Sequence, residues 1–308
     1  MSTTEPSTNY NFMKGRYFWF AVSFLLIVWG AFIWTSTGNN KYGIDFLGGT
    51  DLVVKFNEQI APVEIRKILD NAGISGAIVQ AFEEDTNEFS IRFKGTDNGN
   101  VTKDIQKAFE GVGGGFTVLK NDFVGPVIGE KIKVDGFKAV AISIIGLLIY
   151  IAWRFEWTYG MGAIIAVFHD VFISASIFIY TGGEIGAGAL AALLTILGYS
   201  VNDTIVTFDR IRENLTLKDQ SKSAKVGSLS LKDMSLTEII NLSINQTLSR
   251  TILTAGTTLF SCSALYVLGG GAIKELSAIL VIGIIVGTYS SIFIASPLIL
   301  SFTKNKKN

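Results

Sequence analysis

The sequence has one cysteine, Cys262, and one histidine, His169, in 308 residues. Cys262 falls inside a long apolar run, so no disulfide can staple the polar part of the chain, which must hold itself together by packing. That polar part contains neither Cys nor His, which argues against a metal site there. Charge is scarce as well: 17% of residues are charged, 49% are hydrophobic, and the formal net charge is zero. The zero net charge says nothing about a nucleic-acid partner; neither such a partner nor a cofactor is expected. Low charge with positive mean hydropathy is the composition of a polytopic membrane protein rather than a soluble one.

Stretches long and apolar enough to cross about 30 Å of hydrocarbon occur at residues 17–35, 137–153, 161–180, 186–208, 252–268 and 276–300. The first is too long for a signal-peptide core, and no Ala-x-Ala site follows Trp34, so it reads as an uncleaved anchor. Lys and Arg are unevenly placed. Lys14 and Arg16 precede the first span, Arg154 lies in the short second turn, and Arg210, Arg212, Lys218, Lys222, Lys225, Lys232 and Arg250 fall in the connection 209–250. Lys304, Lys306 and Lys307 lie in the tail, whereas the turns 181–185 and 269–275 hold only Lys274. This bias predicts cytoplasmic tails at 1–16 and 303–308 and a cytoplasmic loop at 209–250. Residues 36–136 are then outside, and residues 137–302 form the bundle of the other five spans.

The outer segment alternates strand-like and helix-like patterns. Residues 51–56, 77–82, 88–93 and 116–123 read as strands, with Phe89, Ile91 and Phe93 in clean alternation. Residues 62–72 read as a helix opened by Pro62 and stopped at Gly73, and residues 101–109 as a second. Asp85 and Asn87 suit the turn between the middle strands. The order β-α-β-β-α-β is ferredoxin-like, a fold that hosts many functions. Gly43-Ile-Asp-Phe-Leu-Gly-Gly-Thr50 and Val124-Gly-Pro-Val-Ile-Gly129 bracket it. Gly43, Gly48, Gly49, Gly125 and Pro126 read as bends or hinges. No Lys-Ser/Thr follows these glycines, so a phosphate loop is not expected.

The spans carry the polar chemistry. Asn202 and Asp203 interrupt the fourth, and His169 and Asp170 lie near the middle of the third. A carboxylate at mid-membrane costs roughly 2.5–3.5 kcal/mol on insertion scales, so it marks a functional position by default. Asp203 and Arg250 sit at similar depth on consecutive helices, which suggests an ion pair. That pair could instead be a static packing contact, or Arg250 could snorkel to lipid headgroups. His169 and Asp170 could serve helix packing alone, and Asp209, Arg210, Arg212 and Glu213 a solvated helix end. Gly283 and Gly287, with Ser290, Ser291 and Ala295 beyond, make a small-residue face for close helix approach. Residues 215–234 read as a flexible cytoplasmic loop, and residues 236–248 as an amphipathic helix on the inner membrane surface. An intramembrane aspartyl protease using Asp170 and Asp203, and a stand-alone exporter, remain as other readings.

The glycine stretches, the His169-Asp-Val171 step, Gly198-Tyr-Ser-Val-Asn-Asp-Thr-Ile-Val206 with Asp209-Arg-Ile-Arg-Glu-Asn214, and Ser249-Arg-Thr-Ile252 together resemble the SecD/SecF family of protein-export membrane proteins. The resemblance covers about residues 41–297; the connection at 217–233 is longer than is usual in that family. It implies an RND-type half: six transmembrane helices with one extracytoplasmic ferredoxin-like domain between the first two. It also implies a heterodimer with a SecD-like chain, association with the SecYEG translocon, and action on a translocating unfolded polypeptide. The setting would be the lipid bilayer of a bacterial inner membrane. In that family the residues matching Asp203 and Arg250 are linked to proton passage, with no enzymatic step. By position, Asn202, Asp170 and His169 join them as candidates on the proton path.

Overall fold

The computed structural model describes residues 9–74, 76–82, 87–94, 101–112, 114–154, 157–220, 225–226 and 229–304. Residues 1–8, Asp85, Lys222, Ser223 and the tail with Lys306 and Lys307 lie outside the described residues. Among the described residues, six helices are long and apolar enough to cross a membrane.

Helix α1 (Arg16–Ser36) is followed by a single helical turn, α2 (Ile44–Leu47), which leads into the α/β domain between the first two spans. There β1 (Gly49–Phe56), α3 (Pro62–Asn71), β2 (Ile78–Ala81), β3 (Glu88–Lys94), α4 (Val101–Phe109) and β4 (Phe116–Val124) follow in the expected ferredoxin-like order. The sheet runs β2-β3-β1-β4 with every pairing antiparallel. Alternation along the strands separates its faces. Leu52, Val54, Phe56, Phe89 and Ile91 bury against Ile65 and Leu69 of α3 and Ile105 and Phe109 of α4. The opposite face carries Asp51, Ser90, Arg92, Lys120 and Asp122, and these line a cavity against the membrane domain.

The two glycine stretches form one joint. Gly48 and Gly49 have φ of 80° and 148°, conformations open mainly to glycine. A Cβ on Gly48 would stand 2.8 Å from the backbone of Pro126, and one on Gly129 would stand 2.9 Å from the Gly48 nitrogen. Pro126 opens α5 (Pro126–Arg154), which begins 11 residues before the apolar stretch that marks the second span. The expected bend is therefore a helix start. Lys131, Lys133 and Asp135 are polar yet helical, and hydropathy locates hydrocarbon rather than helix length.

Helix α6 (Trp157–Tyr180) is the most buried span and packs against α1 and α7 (Ala187–Gln220). A hairpin, β5 (Lys225–Val226) and β6 (Leu229–Ser230), joins α7 to α8 (Leu236–Leu268). Helix α9 (Gly271–Ser290) continues through a π turn, Ser291–Ala295, into α10 (Ser296–Lys304). Helix α7 has 34 residues, about 51 Å at 1.5 Å per residue, some 20 Å more than the hydrocarbon needs.

The connection between α7 and α8 differs from its sequence reading. Residues 209–220 and 236–250 are helical extensions of the spans, and 236–248 is continuous with the fifth span rather than a separate surface helix. Buried polar side chains hold the extensions together. Asn214 Nδ2 donates to Ser243 Oγ and to Gln246 Oε1, each at 2.8 Å, and Arg210 Nε donates to Gln246 Oε1 at 2.7 Å. The N-terminal segment docks on the same helix: Asn245 accepts from Tyr10 N and donates to Tyr10 O, and Asn241 accepts from Phe12 N. The hairpin packs Val226 and Leu231 on Leu242, Leu217 and Met234. The amphipathic pattern of 236–248 is thus satisfied by protein, with Ser235 and Glu238 forming a capping box at its start.

Candidate functional site

Asp170 lies at the middle of α6 and is 1% exposed. Its Oδ1 is 2.8 Å from His169 Nδ1, and its Oδ2 accepts from Ser290 Oγ at 2.6 Å and from Ser200 Oγ. His169 Nε2 reaches Ser23 Oγ of α1 at 3.0 Å, and Ser23 in turn contacts the Tyr289 hydroxyl at 2.7 Å. The cluster therefore joins α1, α6, α7 and α9. A buried carboxylate requires such a shell, because desolvation without hydrogen bonds costs several kcal/mol, of order.

Asp203 sits half-way along α7. Its Oδ1 accepts from Thr251 Oγ1 of α8 at 2.9 Å, and its Oδ2 accepts from Ser291 Oγ of the π turn at 2.8 Å. The expected pairing with Arg250 does not form: Arg250 is exposed, and Thr251, one residue on, makes the contact. One residue along a helix is a rotation of about 100°, so equal depth does not bring side chains together. Asp170 and Asp203 share no hydrogen-bond partner, whereas a catalytic carboxylate pair sharing one proton needs its oxygens in contact. Asn202 is exposed on α7.

Asn202 belongs to a stripe. Gly188, Ala191, Thr195, Gly198 and Asn202 are the exposed side of α7, at spacings of three and four residues. Arg250, Thr254, Thr257 and Ser261 make a matching exposed polar stripe on α8. Small and polar residues on the outside of membrane helices fit close contact with other helices better than contact with lipid. Arg154 pairs with Asp209 at 3.0 Å, and Arg210 with Glu213 at 2.6 Å, as suits a charged helix extension.

The outer glycine stretch is anchored to α7. Asp45 Oδ2 accepts from the Ala187 amide, at the first turn of α7, at 2.9 Å. Gly43 N donates to Ile185 O at 3.1 Å, and Ile185 N to Lys41 O at 2.7 Å. Above this anchor the polar sheet face closes a cavity of about 410 Å³ over the turn 181–186 and the start of α9. Arg92 bridges it, meeting Glu275 at short range and Glu184 at 3.6 Å, while Lys94 meets Glu184 at 2.5 Å. Burial pulls the Arg92 pKa down, but the carboxylates of Glu275, Glu184 and Asp51 outweigh it, so the net shift is upward and Arg92 stays charged.

The sequence-predicted residues Asp203, Asp170 and His169 thus fall in one hydroxyl-lined core, while Asn202 and Arg250 face outward. Ser23, Ser200, Thr251, Ser290 and Ser291 complete the core. Serine in an apolar span reads equally as a small packing residue, so pattern alone did not separate them. Asp45, Glu184, Arg92 and Glu275 also escaped notice, because they lie on α2, a turn, a strand and the start of α9, far from one another in sequence.

A family model described as protein export membrane protein SecD/SecF, C-terminal, matches residues 104–305. The protein translocase subunit SecF of Thermodesulfovibrio yellowstonii is 38% identical over 302 residues, 97% of this chain and 96% of that one. The subunit of the same name from Rickettsia bellii is 40% identical over 300 residues, 96% of this chain and 93% of that one. Among solved structures, SecDF from Thermus thermophilus, described as a translocon-associated membrane protein, superposes with a TM-score of 0.82 at 34% identity. That match covers 97% of this chain and 39% of the longer SecDF chain. A SecDF structure in a super-membrane-facing form gives 0.71 at 35% identity, over 98% of this chain and 40% of the other.

Proposed function

The chain belongs to the SecD/SecF family of protein-export membrane proteins, and from that membership and the site geometry we propose a proton-driven role in Sec export. It is a SecF-type, multi-pass accessory subunit of Sec protein translocation. It works beside a SecD-like chain at the SecYEG translocon in a bacterial inner membrane, with both termini cytoplasmic, and assists an unfolded polypeptide emerging outside. Its contribution is conformational work rather than covalent chemistry.

The observation that carries the reading is Asp203, held at mid-helix by Thr251 and Ser291. Hydroxyls can donate to a charged carboxylate and accept from a protonated one. The group can therefore change charge without losing its hydrogen-bond partners. When Asp203 gains a proton, at least one hydroxyl bond reverses and the grip between α7, α8 and the π turn changes. Helix α7 begins at the Asp45 anchor, so its displacement reaches the outer domain. One proton falling through 100 mV releases roughly 2.3 kcal/mol, a bias of about fiftyfold on a two-state equilibrium.

The exposed stripes on α7 and α8 support the partnership. They are where helices of a SecD-like chain would cover Asn202 and meet Arg250, which is free to serve a carboxylate from that side.

Export by inverted vesicles tests the proposal, with the SecD-like partner present and the proton gradient on or off. Asp203→Asn is expected to remove the gradient-dependent component and to leave gradient-independent export intact. Full gradient dependence in a normally assembled Asp203→Asn complex would falsify the assignment of the proton step.

A further inference from the structure

Consecutive serines stand between the two carboxylates. Ser290 ends α9 and Ser291 opens the π turn. Ser290 Oγ lies 2.6 Å from Asp170 Oδ2 and 3.1 Å from the carbonyl oxygen of Gly287. Ser291 Oγ lies 2.8 Å from Asp203 Oδ2 and 3.1 Å from the carbonyl oxygen of Thr288. Each hydroxyl has one proton to give and two acceptors in reach. A charged carboxylate wins that proton, because a charge-assisted hydrogen bond is about twice as strong as a neutral one. A protonated carboxylate becomes a donor, the serine oxygen accepts, and the serine proton turns to the backbone carbonyl.

The protonation state of each carboxylate is thereby written into the bonds at the end of α9. Adjacent residues record the two states, on one local structure. That structure is irregular: Ser296 Oγ donates to Ser291 O at 2.8 Å, five residues back, inside the π turn. π turns are rare and recur at functional sites.

We propose that Ser290 and Ser291 are positioning residues that couple the protonation of Asp170 to that of Asp203 through the junction of α9 and the π turn, which the two serines share. The inference rests on Asp203 being the proton-carrying group. Asp170 is faced by His169 on its own helix, by Ser200 on α7, and by Tyr289 and Ser290 on α9. Asp203 is faced by Thr251 and Arg250 of α8, by Ser291, and by Tyr199 on its own helix. Arg250 is the one permanent charge in that set and forms no ion pair with Asp203, whereas Ser290 and Ser291 touch the two carboxylates directly, so the coupling runs through the hydroxyls.

The full chain assembled with its SecD-type partner is the object of the test. Gradient-dependent export is followed against pH for Ser290→Ala, Ser291→Ala and the matching threonine variants. A hydrogen bond to a charged group moves an equilibrium about tenfold. Each alanine is therefore expected to lower gradient-dependent export about tenfold and to move its pH midpoint by about one unit, while threonine, which keeps the hydroxyl, restores the midpoint. Alanine variants with the wild-type rate and midpoint, or threonine variants as impaired as alanine, overturn the proposal. Difference infrared spectra of the purified complex on acidification give a readout independent of export. With bands assigned by Asp170→Asn and Asp203→Asn, Ser290→Ala is expected to move the protonated-carboxyl bands of both residues, and movement of the Asp170 band alone overturns the coupling. If Asp203→Asn keeps gradient-dependent export while both bands move, the proton-step reading fails and the coupling stands.

Discussion

Thr251 and Ser291 can each turn a proton toward Asp203 or a lone pair toward it, which a lysine or arginine in their place could not do. The same holds for Ser200 and Ser290 at Asp170, so the buried Asp170 and the half-buried Asp203 both sit among groups that tolerate either charge state. Other single residues are confined by backbone geometry instead. Gly48 combines a φ of 80° with a ψ of 156°, a region essentially restricted to glycine, where another residue costs of order 1–3 kcal/mol. A Cβ there also meets Pro126 at 2.8 Å. Gly146 lies in α5 with nothing within 4 Å of its missing Cβ. Gly48→Ala is expected to lower the thermal unfolding temperature of the purified complex, and Gly146→Ala to leave it unchanged or raise it. Equal effects of the two substitutions would show that the joint between α2 and α5 has no tight packing.

At the scale of elements, the link between Asp203 and the α/β domain is the start of α7. Asp45 reaches from the outer stretch to the Ala187 amide, one of the donors a helix start leaves unpaired. A cap of this kind is worth about 1 kcal/mol, and asparagine supplies it as well as aspartate. Asp45→Ala is expected to depress gradient-dependent export while the complex still assembles, and Asp45→Asn to keep it near wild type, measured in the same vesicles. Equal loss in both variants would point to the charge rather than the cap. Whole elements were legible in the sequence because period and length identify them: six apolar runs and the βαββαβ order need only local pattern. The docking of residues 209–220 and 236–250 was not legible: 209–213 read as a solvated helix end and 236–248 as a separate surface helix, because Asn214 finds its partners on α8 and Asn241 and Asn245 find theirs on the N-terminal segment, far away in sequence. The π turn left no local sign either, because Ser290 and Ser291 match the small-residue spacing that simple helix packing would produce. Depth along α7 and α8 correctly aligned Asp203 with the Arg250 region, but it carries no information on rotation about the helix axis, and Thr251 is the residue turned inward.

For the whole molecule, the question is how the outer sheet is held over the membrane turns. Its polar face rests there through Arg92, Lys94, Glu184 and Glu275 rather than through an apolar core. The Glu184 side chain is 9% exposed, and its Oε2 accepts no hydrogen bond among the described residues. Such a contact is specific yet reversible, since ion pairs with an underused acceptor separate more easily than a packed interface, and the cavity beside them admits water. The arrangement therefore suits a domain that can separate from these turns and return. Arg92 is 15% exposed and Glu275 33%, so salt weakens the pair only in part, because screening acts mainly on exposed charges. Charge reversal gives the cleaner test. Arg92→Glu is expected to lift the domain, read as a longer distance between spin labels on α3 and on the turn 181–186. Adding Glu275→Arg to Arg92→Glu is expected to bring the distance back toward wild type, with a coupling of about 0.5–3 kcal/mol between the two sites. If the double variant stays as open as the single, the sheet is held by its glycine joint and the Asp45 cap, and the ion pairs only follow where the domain already sits.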